Sequence, residues 1–517
     1  MKRLLTVIAL ALSACPLAGA ATGPAGPRFG VADDAGKYSD DGGAAVYKTL
    51  ADVGMTDNRM VVLWDHTRPL DIVEQPFLDR ALPVAEEHGI RIVFAVAPRR
   101  ARALTASRAA APQFVAFLQK LAVTYPQVKD FIVGNEPNQP RFWQPQFVRG
   151  RSVSGAAYQR VLAMAYDGLK AVDPEIRVIG VGLSPRGNDR PNAKSNRSTS
   201  PVRFIHSLGA AYRASGRKKP IMDLFGFHSY PRFDRDPLTR GYAWPNAGIT
   251  NLDRIKQAIW DAFGGTAQPT FAEAGEPVDE DGPPPLRFAL DEVGWQVTIP
   301  RASRRAYRGR ESVRPTGERQ QADIYRRIVD IAACDPAVDS LLFFHLIDEN
   351  DLDRFQSGLV RADWTKRPSY FTVKERIRQL TTQDGIQCPG RTVAWRHRES
   401  VVGASARFAA PGRGRLPRFV TTAKEDATYV AGIFPVTGIG FLGDLEEDAI
   451  RWVLAERKLR LVGLPEQTGA VRAYRPRAVV FGRRPTVPGR YVYAVRLAAA
   501  MNPDRSTTLV SDPFVVR

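Results

Sequence analysis

The chain has 517 residues, of which 44% are hydrophobic and 25% charged. That balance excludes wholesale disorder, and the length excludes a core that depends on metal or disulfide staples. Lysine and arginine outnumber acids by 73 to 54, a net charge of +19, but the arginines are dispersed; this speaks against a nucleic-acid binder and leaves an acidic polysaccharide or an anionic envelope open as partner.

The first twenty residues read as a targeting segment. Lys2 and Arg3 precede an apolar run, Leu4 to Leu12, and Ala18-Gly19-Ala20 supplies small residues for cleavage. That is the layout of a secretory signal peptide at residues 1–20, and the run is too short to span a bilayer. A second reading stays open: Leu12-Ser13-Ala14-Cys15 resembles a bacterial lipoprotein box, which would place a lipid anchor on Cys15. Either way the protein is expected to be secreted or envelope-associated, without a membrane span and as a monomer.

Residues 21–383 alternate strand-like and helix-like patterns. The strand-like runs are Arg28–Ala32, Met60–Trp64, Arg91–Val96, Asp130–Val133, Arg177–Leu183, Asp223–His228, Phe288–Glu292 and Ser340–His345. Most are continuously apolar, as parallel strands covered on both faces should be. Pro112–Thr124, Tyr158–Val172 and Gln320–Ala333 read as helices, with Pro112 expected at the first helical position. Eight such repeats predict a closed (β/α)8 TIM barrel in the α/β class.

A turn-rich segment around residues 384–390 marks a boundary. Residues 390–517 then read as an all-β sandwich of immunoglobulin-like type, with strands at Arg418–Thr422, Thr428–Phe434, Ala478–Phe481, Tyr491–Leu497 and Phe514–Arg517. A helical insertion is expected near Leu445–Glu456. Gly438-Ile439-Gly440-Phe441-Leu442-Gly443 fits a dinucleotide-binding pattern, but a lone match inside a β-rich unit reads as a loop. Excluding Cys15, Cys334 and Cys388 form an even pair and a disulfide candidate in an oxidising compartment.

In a β/α barrel, chemistry sits where strands end. The fourth strand ends Val133-Gly134-Asn135-Glu136-Pro137-Asn138, and the seventh runs Leu290-Asp291-Glu292-Val293-Gly294-Trp295. Glu136 and Glu292 would both point into the barrel mouth. Cleavage of a glycosidic bond with retention needs two carboxyl groups roughly 5–5.5 Å apart, one acid and one nucleophile. Trp64, Trp143 and Trp295 lie at or just beyond strand ends and are expected to stack on sugar faces.

Asn-Glu-Pro after strand four and Glu-x-Gly-Trp after strand seven resemble clan A glycoside hydrolases, particularly families 5 and 39. The resemblance covers about residues 27–380. It implies Glu136 as acid/base, Glu292 as nucleophile and Asn135 as the contact to the sugar 2-hydroxyl. His228-Ser229-Tyr230 resembles the clan's His-x-Tyr, which implies that Tyr230 bonds the nucleophile and His228 lines the site. Arg59 resembles the clan's strand-two arginine. At strand eight the chain departs from the clan, which has a tryptophan where this sequence reads Phe343-Phe344-His345; His345 or Phe344 would take over the platform. The function implied is an exported retaining glycosidase acting on an oligo- or polysaccharide, neutral or acidic, with no metal or organic cofactor. The alternative is a non-catalytic carbohydrate- or envelope-binding protein on the same scaffold.

Overall fold

The computed structural model describes residues 26–277, 282–412, 415–435 and 466–517. The signal-peptide layout, Cys15, the glycine pattern at 438–443 and the insertion expected at 445–456 lie outside the described residues.

Eight parallel strands close a barrel: β1 Arg28–Ala32, β2 Asp57–Trp64, β3 Arg91–Pro98, β4 Asp130–Val133, β5 Arg177–Leu183, β6 Leu224–His228, β7 Arg287–Val293 and β8 Val338–Phe343. Each pairs with its sequence neighbours, and β8 pairs with β1 to complete the ring. Eight helices alternate with the strands: α1 Ala44–Val53, α2 Gln75–Glu87, α3 Ala110–Thr124, α4 Ser154–Val172, α5 Pro201–Ala214, α6 Leu252–Phe263, α7 Glu318–Cys334 and α8 Pro368–Leu380. The main core lies between strands and helices. α3 starts two residues before Pro112, so the proline is third rather than first in the helix. It still sits in the first turn, where an N–H has no intrahelical acceptor.

Inside the barrel the side chains form tiers. The middle tier is small and apolar: Val93, Ala95, Ile132, Ile179, Leu224 and Ala289, with Val61 against them. Below it the strands begin on charges. Buried Asp57 pairs with Arg28 and Arg91, Asp130 with Arg91 and Arg177, and Asp339 with Arg28, Arg177 and Arg287. This interleaved ring is why β2 begins at Asp57 rather than at the expected Met60: a buried charge is tolerated where it has an opposite partner.

Beyond the barrel lie two antiparallel sheets. Strands β9 Ser405–Phe408, β10 Arg418–Thr422, β11 Ala427–Pro435, β12 Glu466–Val471, β13 Arg477–Val480, β14 Gly489–Ala499, β15 Ser506–Val510 and β16 Phe514–Val516 divide into β9-β10-β13 and β12-β11-β14-β15, with β16 also on β14. Both sheets contribute to one core that includes Phe419, Val479, Ile433, Tyr493 and Leu497. Cys334, at the end of α7, is bonded to Cys388. The Trp260 ring stacks on His397 at 3.8 Å, and Arg505 pairs with Asp261 at 3.0 Å, joining α6 to the C-terminal strands.

Removing a shared acid from the charge ring tests its weight. Asp130→Ala takes one of two acid partners from Arg91, which keeps Asp57, and from Arg177, which keeps Asp339; each arginine is about one-third exposed. Their access to water softens the loss to about 2–3 kcal/mol, below the roughly 3–5 kcal/mol of a fully buried pair. Urea unfolding should show an earlier midpoint at the same slope; an unchanged midpoint would remove the ring from the stability of the barrel.

Candidate active site

The mouth of the barrel is shaped where β4 and β5 break their regular pairing. Gly134 and Glu136 have positive φ (88° and 38°), as do Val181 and Gly182 in β5 (88° and 54°). For β-branched Val181 this is a strained conformation that the surroundings must enforce. Tyr158 of α4 does so. Its phenol donates to the Val133 carbonyl at 2.5 Å and accepts from the Val181 N–H at 2.9 Å. The Glu136 N–H then donates to the Gly182 carbonyl at 2.9 Å. The β5–β6 and β6–β7 pairings also shift register just before His228 and Glu292. Such bulges re-aim side chains.

The result is a compact cluster. His228 Nδ1 lies 2.9 Å from Glu136 Oε1 and 3.3 Å from Glu292 Oε2, and its Nε2 lies 3.3 Å from Asp291 Oδ2. Arg59 reaches Glu292 Oε1 at 3.0 Å, Asp291 at 3.6 Å and the Asn135 carbonyl oxygen at 2.7 Å. The Tyr230 hydroxyl donates to Glu292 Oε2 at 2.8 Å. Arg59, His228 and Asp291 are closed off, whereas Glu136 and Glu292 keep 16% and 10% of their side chains exposed. The two accessible acids are thus the ones a ligand would meet.

Electrostatics follow from this packing. Burial disfavours a charged His228, but Glu292, Asp291 and Glu136 outweigh it and push the imidazole up to about 10. Burial likewise opposes ionisation of Asp291, yet His228 and Arg59 hold its carboxyl below the usual range. Burial, and the negative charge of Glu292 beside it, drive the Tyr230 phenol well above its ordinary value, so it remains a donor. Among the described residues no cluster of His, Cys, Asp and Glu is arranged to hold a metal ion.

The structure therefore brings Arg59, Asn135, Glu136, His228, Tyr230 and Glu292 together. Arg59 is an interior residue of β2, third in the strand. The three tryptophans do not join them. Trp64 is buried against Phe114 of α3 and donates to the Pro69 carbonyl. Trp143 is buried edge-on to Tyr158, and Trp295 is 1% exposed in the core. Trp64 and Trp143 face helix residues and Trp295 is enclosed in the core, so the expected sugar-stacking faces are covered. At β8, Phe344 is half-buried and packs 5.9 Å from the Tyr230 ring, with Phe355 5.5 Å from Tyr230. The half-buried His345 ring lies against Phe344 at 3.6 Å. Asp291 is the member that the motifs passed over. An acid directly before Glu292, in an apolar strand, was its only signal.

No family model matches the chain, and no curated protein does. Solved structures do resemble it in outline. A family 39 glycoside hydrolase from Bacteroides cellulosilyticus WH2 shares 14% identity, with 88% of this chain and 81% of that one covered at a TM-score of 0.47. A GH39 β-xylosidase from Caulobacter crescentus shares 16%, covering 89% and 95% at 0.45. A GH5_18 protein from Streptomyces cattleya in complex with GlcNAc shares 15%, covering 76% and 86% at 0.45. The barrel itself is established by its own hydrogen bonding.

The His228 environment is directly measurable. Its folded pKa lies above the unfolded value of roughly 6.5, so the stabilisation is complete below that pH and is lost as pH rises through about 10. Imidazole nitrogen NMR should find His228 doubly protonated at neutral pH and losing a proton near pH 10. A ring that titrates near 6.5 contradicts the cluster.

Proposed function

We propose that the protein is an exported retaining glycoside hydrolase. One observation carries the mechanism. Glu136 Oε1 and Glu292 Oε2 approach the same nitrogen, His228 Nδ1, at 2.9 and 3.3 Å, which bounds their separation at about 6.2 Å. That bound on the facing oxygens accommodates the roughly 5–5.5 Å at which retaining enzymes hold their two carboxyl groups.

In the first step a Glu292 oxygen attacks the anomeric carbon while Glu136 gives its proton to the departing glycosidic oxygen. In the second, Glu136 takes a proton from water, the hydroxide oxygen bonds to the anomeric carbon and Glu292 leaves. Arg59 and Tyr230 both hold Glu292, fixing its orientation for attack and stabilising it as a leaving group. Because Asn135 accepts from Arg59 through its carbonyl oxygen, its amide N–H groups are left to donate to a sugar hydroxyl. The two-carboxylate route requires neither metal nor organic cofactor.

The same reading assigns residues 1–20 to a cleaved export signal, 21–383 to the catalytic barrel and 390–517 to an immunoglobulin-like sandwich. The Trp260–His397 stack, the Asp261–Arg505 pair and the Cys334–Cys388 bond support a bracing role for the sandwich. Mass spectrometry of the mature N-terminus separates cleavage after Ala20 from a lipid on Cys15.

Activity is tested on a panel of activated aryl glycosides. Glu136→Gln should lower kcat/KM on a poor leaving group by roughly 10²–10⁴-fold, and Glu292→Gln at least as far. Proton NMR of the first product should show the anomer of the substrate. Full turnover by the Glu292 variant, or an inverted first product, would overturn the assignment.

A further inference from the structure

The catalytic face of the barrel is unevenly charged. The loop after β3 carries Arg99, Arg100, Arg102 and Arg108 with no acid, and the loop after β7 carries six arginines against Glu311 alone. At the opposite end, the connection between α6 and β7 is acidic, with Glu273 and Glu276 among its described residues. The loop after β8 is acidic, with Glu349, Asp351 and Asp353, so the positive field that attracts anions is confined to part of the mouth.

Two of the arginines are built into the rim beside the acids. Arg186, in the loop after β5, and Arg232, in the loop after β6, are both exposed. Arg186 Nη1 donates to the Arg232 carbonyl at 3.0 Å, so the loops are clasped together. The Arg186 carbonyl in turn accepts from the Gln139 side chain, three residues beyond Glu136. Arg232 follows Tyr230 by two residues and lies 5.1 Å over the ring of Phe233. Phe233 is 56% exposed, so the part of its ring that Arg232 does not cover is open to solvent. Neither guanidinium has a carboxylate partner among the described residues. Asp234 accepts the Gln296 N–H and feels the charge of Arg186, but makes no ion pair with either arginine.

An aromatic face beside two unpaired guanidinium forks suits a sugar ring carrying an anionic substituent, because the fork matches a planar or tetrahedral oxyanion and a neutral hydroxyl needs no such charge. Glu136 protonates the departing oxygen, so the leaving sugar lies on the side of Glu136, where Gln139 joins this rim. Resting on the glycosidase reading, we infer that Arg186, Arg232 and Phe233 form a subsite for an acidic sugar, and that the substrate is an anionic glycan bearing carboxylate or sulfate groups.

The test compares polygalacturonate and alginate with their carboxyl-reduced forms, and chondroitin sulfate with its desulfated form. The protein should cleave at least one anionic polymer with higher kcat/KM than its neutralised counterpart. That preference should collapse as salt shortens the screening length from roughly 20 Å to roughly 4 Å. Arg186→Glu with Arg232→Glu should cut the preference by about tenfold or more, mainly through KM. Lys218→Glu with Lys219→Glu is the control: it changes net charge equally, at exposed positions on the opposite end of the barrel. A preference lowered equally by both variants would reduce the effect to overall charge and overturn the subsite. So would faster cleavage of the neutral forms, which would leave the glycosidase reading standing. If no polymer and no aryl glycoside is cleaved, the glycosidase reading fails. Affinity electrophoresis of the same proteins in gels containing each polymer then decides the subsite: retardation lost only in the arginine variant supports it, and equal retardation of all three proteins overturns it.

Discussion

Three carboxylates share the mouth of this barrel, and they coexist because two cations stand between them. Arg59 lies between Glu292, Asp291 and the Asn135 amide, and His228 touches Glu136, Glu292 and Asp291 through its two ring nitrogens. Burial alone would force a proton onto Asp291; His228 and Arg59 beside it keep its carboxyl ionised. Asp291 has the least conspicuous part. It makes no contact with solvent, yet it adds the negative charge that holds His228 as a cation, and a charged His228 is what lets Glu136 and Glu292 face each other across one nitrogen.

The barrel supplies the geometry for this arrangement. A closed parallel sheet sends alternate side chains into a narrow interior, so each strand contributes to stacked tiers. Charges fill the bottom tier, small aliphatic residues the middle, and the acid cluster the top. Apart from a shift around Asp339 at the start of β8, the departures from regular pairing lie toward the top tier. The extra residues in β5 and β7 and the positive φ of Glu136 occur there, and the Tyr158 hydroxyl holds the β4 and β5 ends from outside the barrel. Strain at the site is thus sustained by a helix residue that touches none of the acids.

Much of this was legible in the sequence. Apolar runs located all eight barrel strands, because a parallel strand must be apolar toward the helices, and three runs matched their observed bounds. At the starts of β2 and β7 the bounds moved because of charge: Asp57 and Arg287 looked like loop residues and proved to be members of the bottom ring. The tryptophans misled for the converse reason. Trp64, Trp143 and Trp295 lie at or near strand ends in the sequence, but which way a side chain leaves the strand depends on pleat and bulge, and all three turn into the core. Exposed aromatics on the strand-end loops are Phe233 after β6 and Trp364 after β8, both in loops with no periodic signal.

Local chemistry in one dimension thus settled the succession of strands and helices and the residue types at each strand end, since periodicity and turn chemistry act over a few neighbours. Distance across the barrel belongs to closure. Sequence separations of 76 residues between Arg59 and Asn135 and 92 between Glu136 and His228 become single hydrogen-bonding contacts only when β8 meets β1 and each strand's register is set. The clasp of Arg186 on Arg232 is of the same kind. It joins two loops that meet because their strands are neighbours, and nothing in either loop alone announces it.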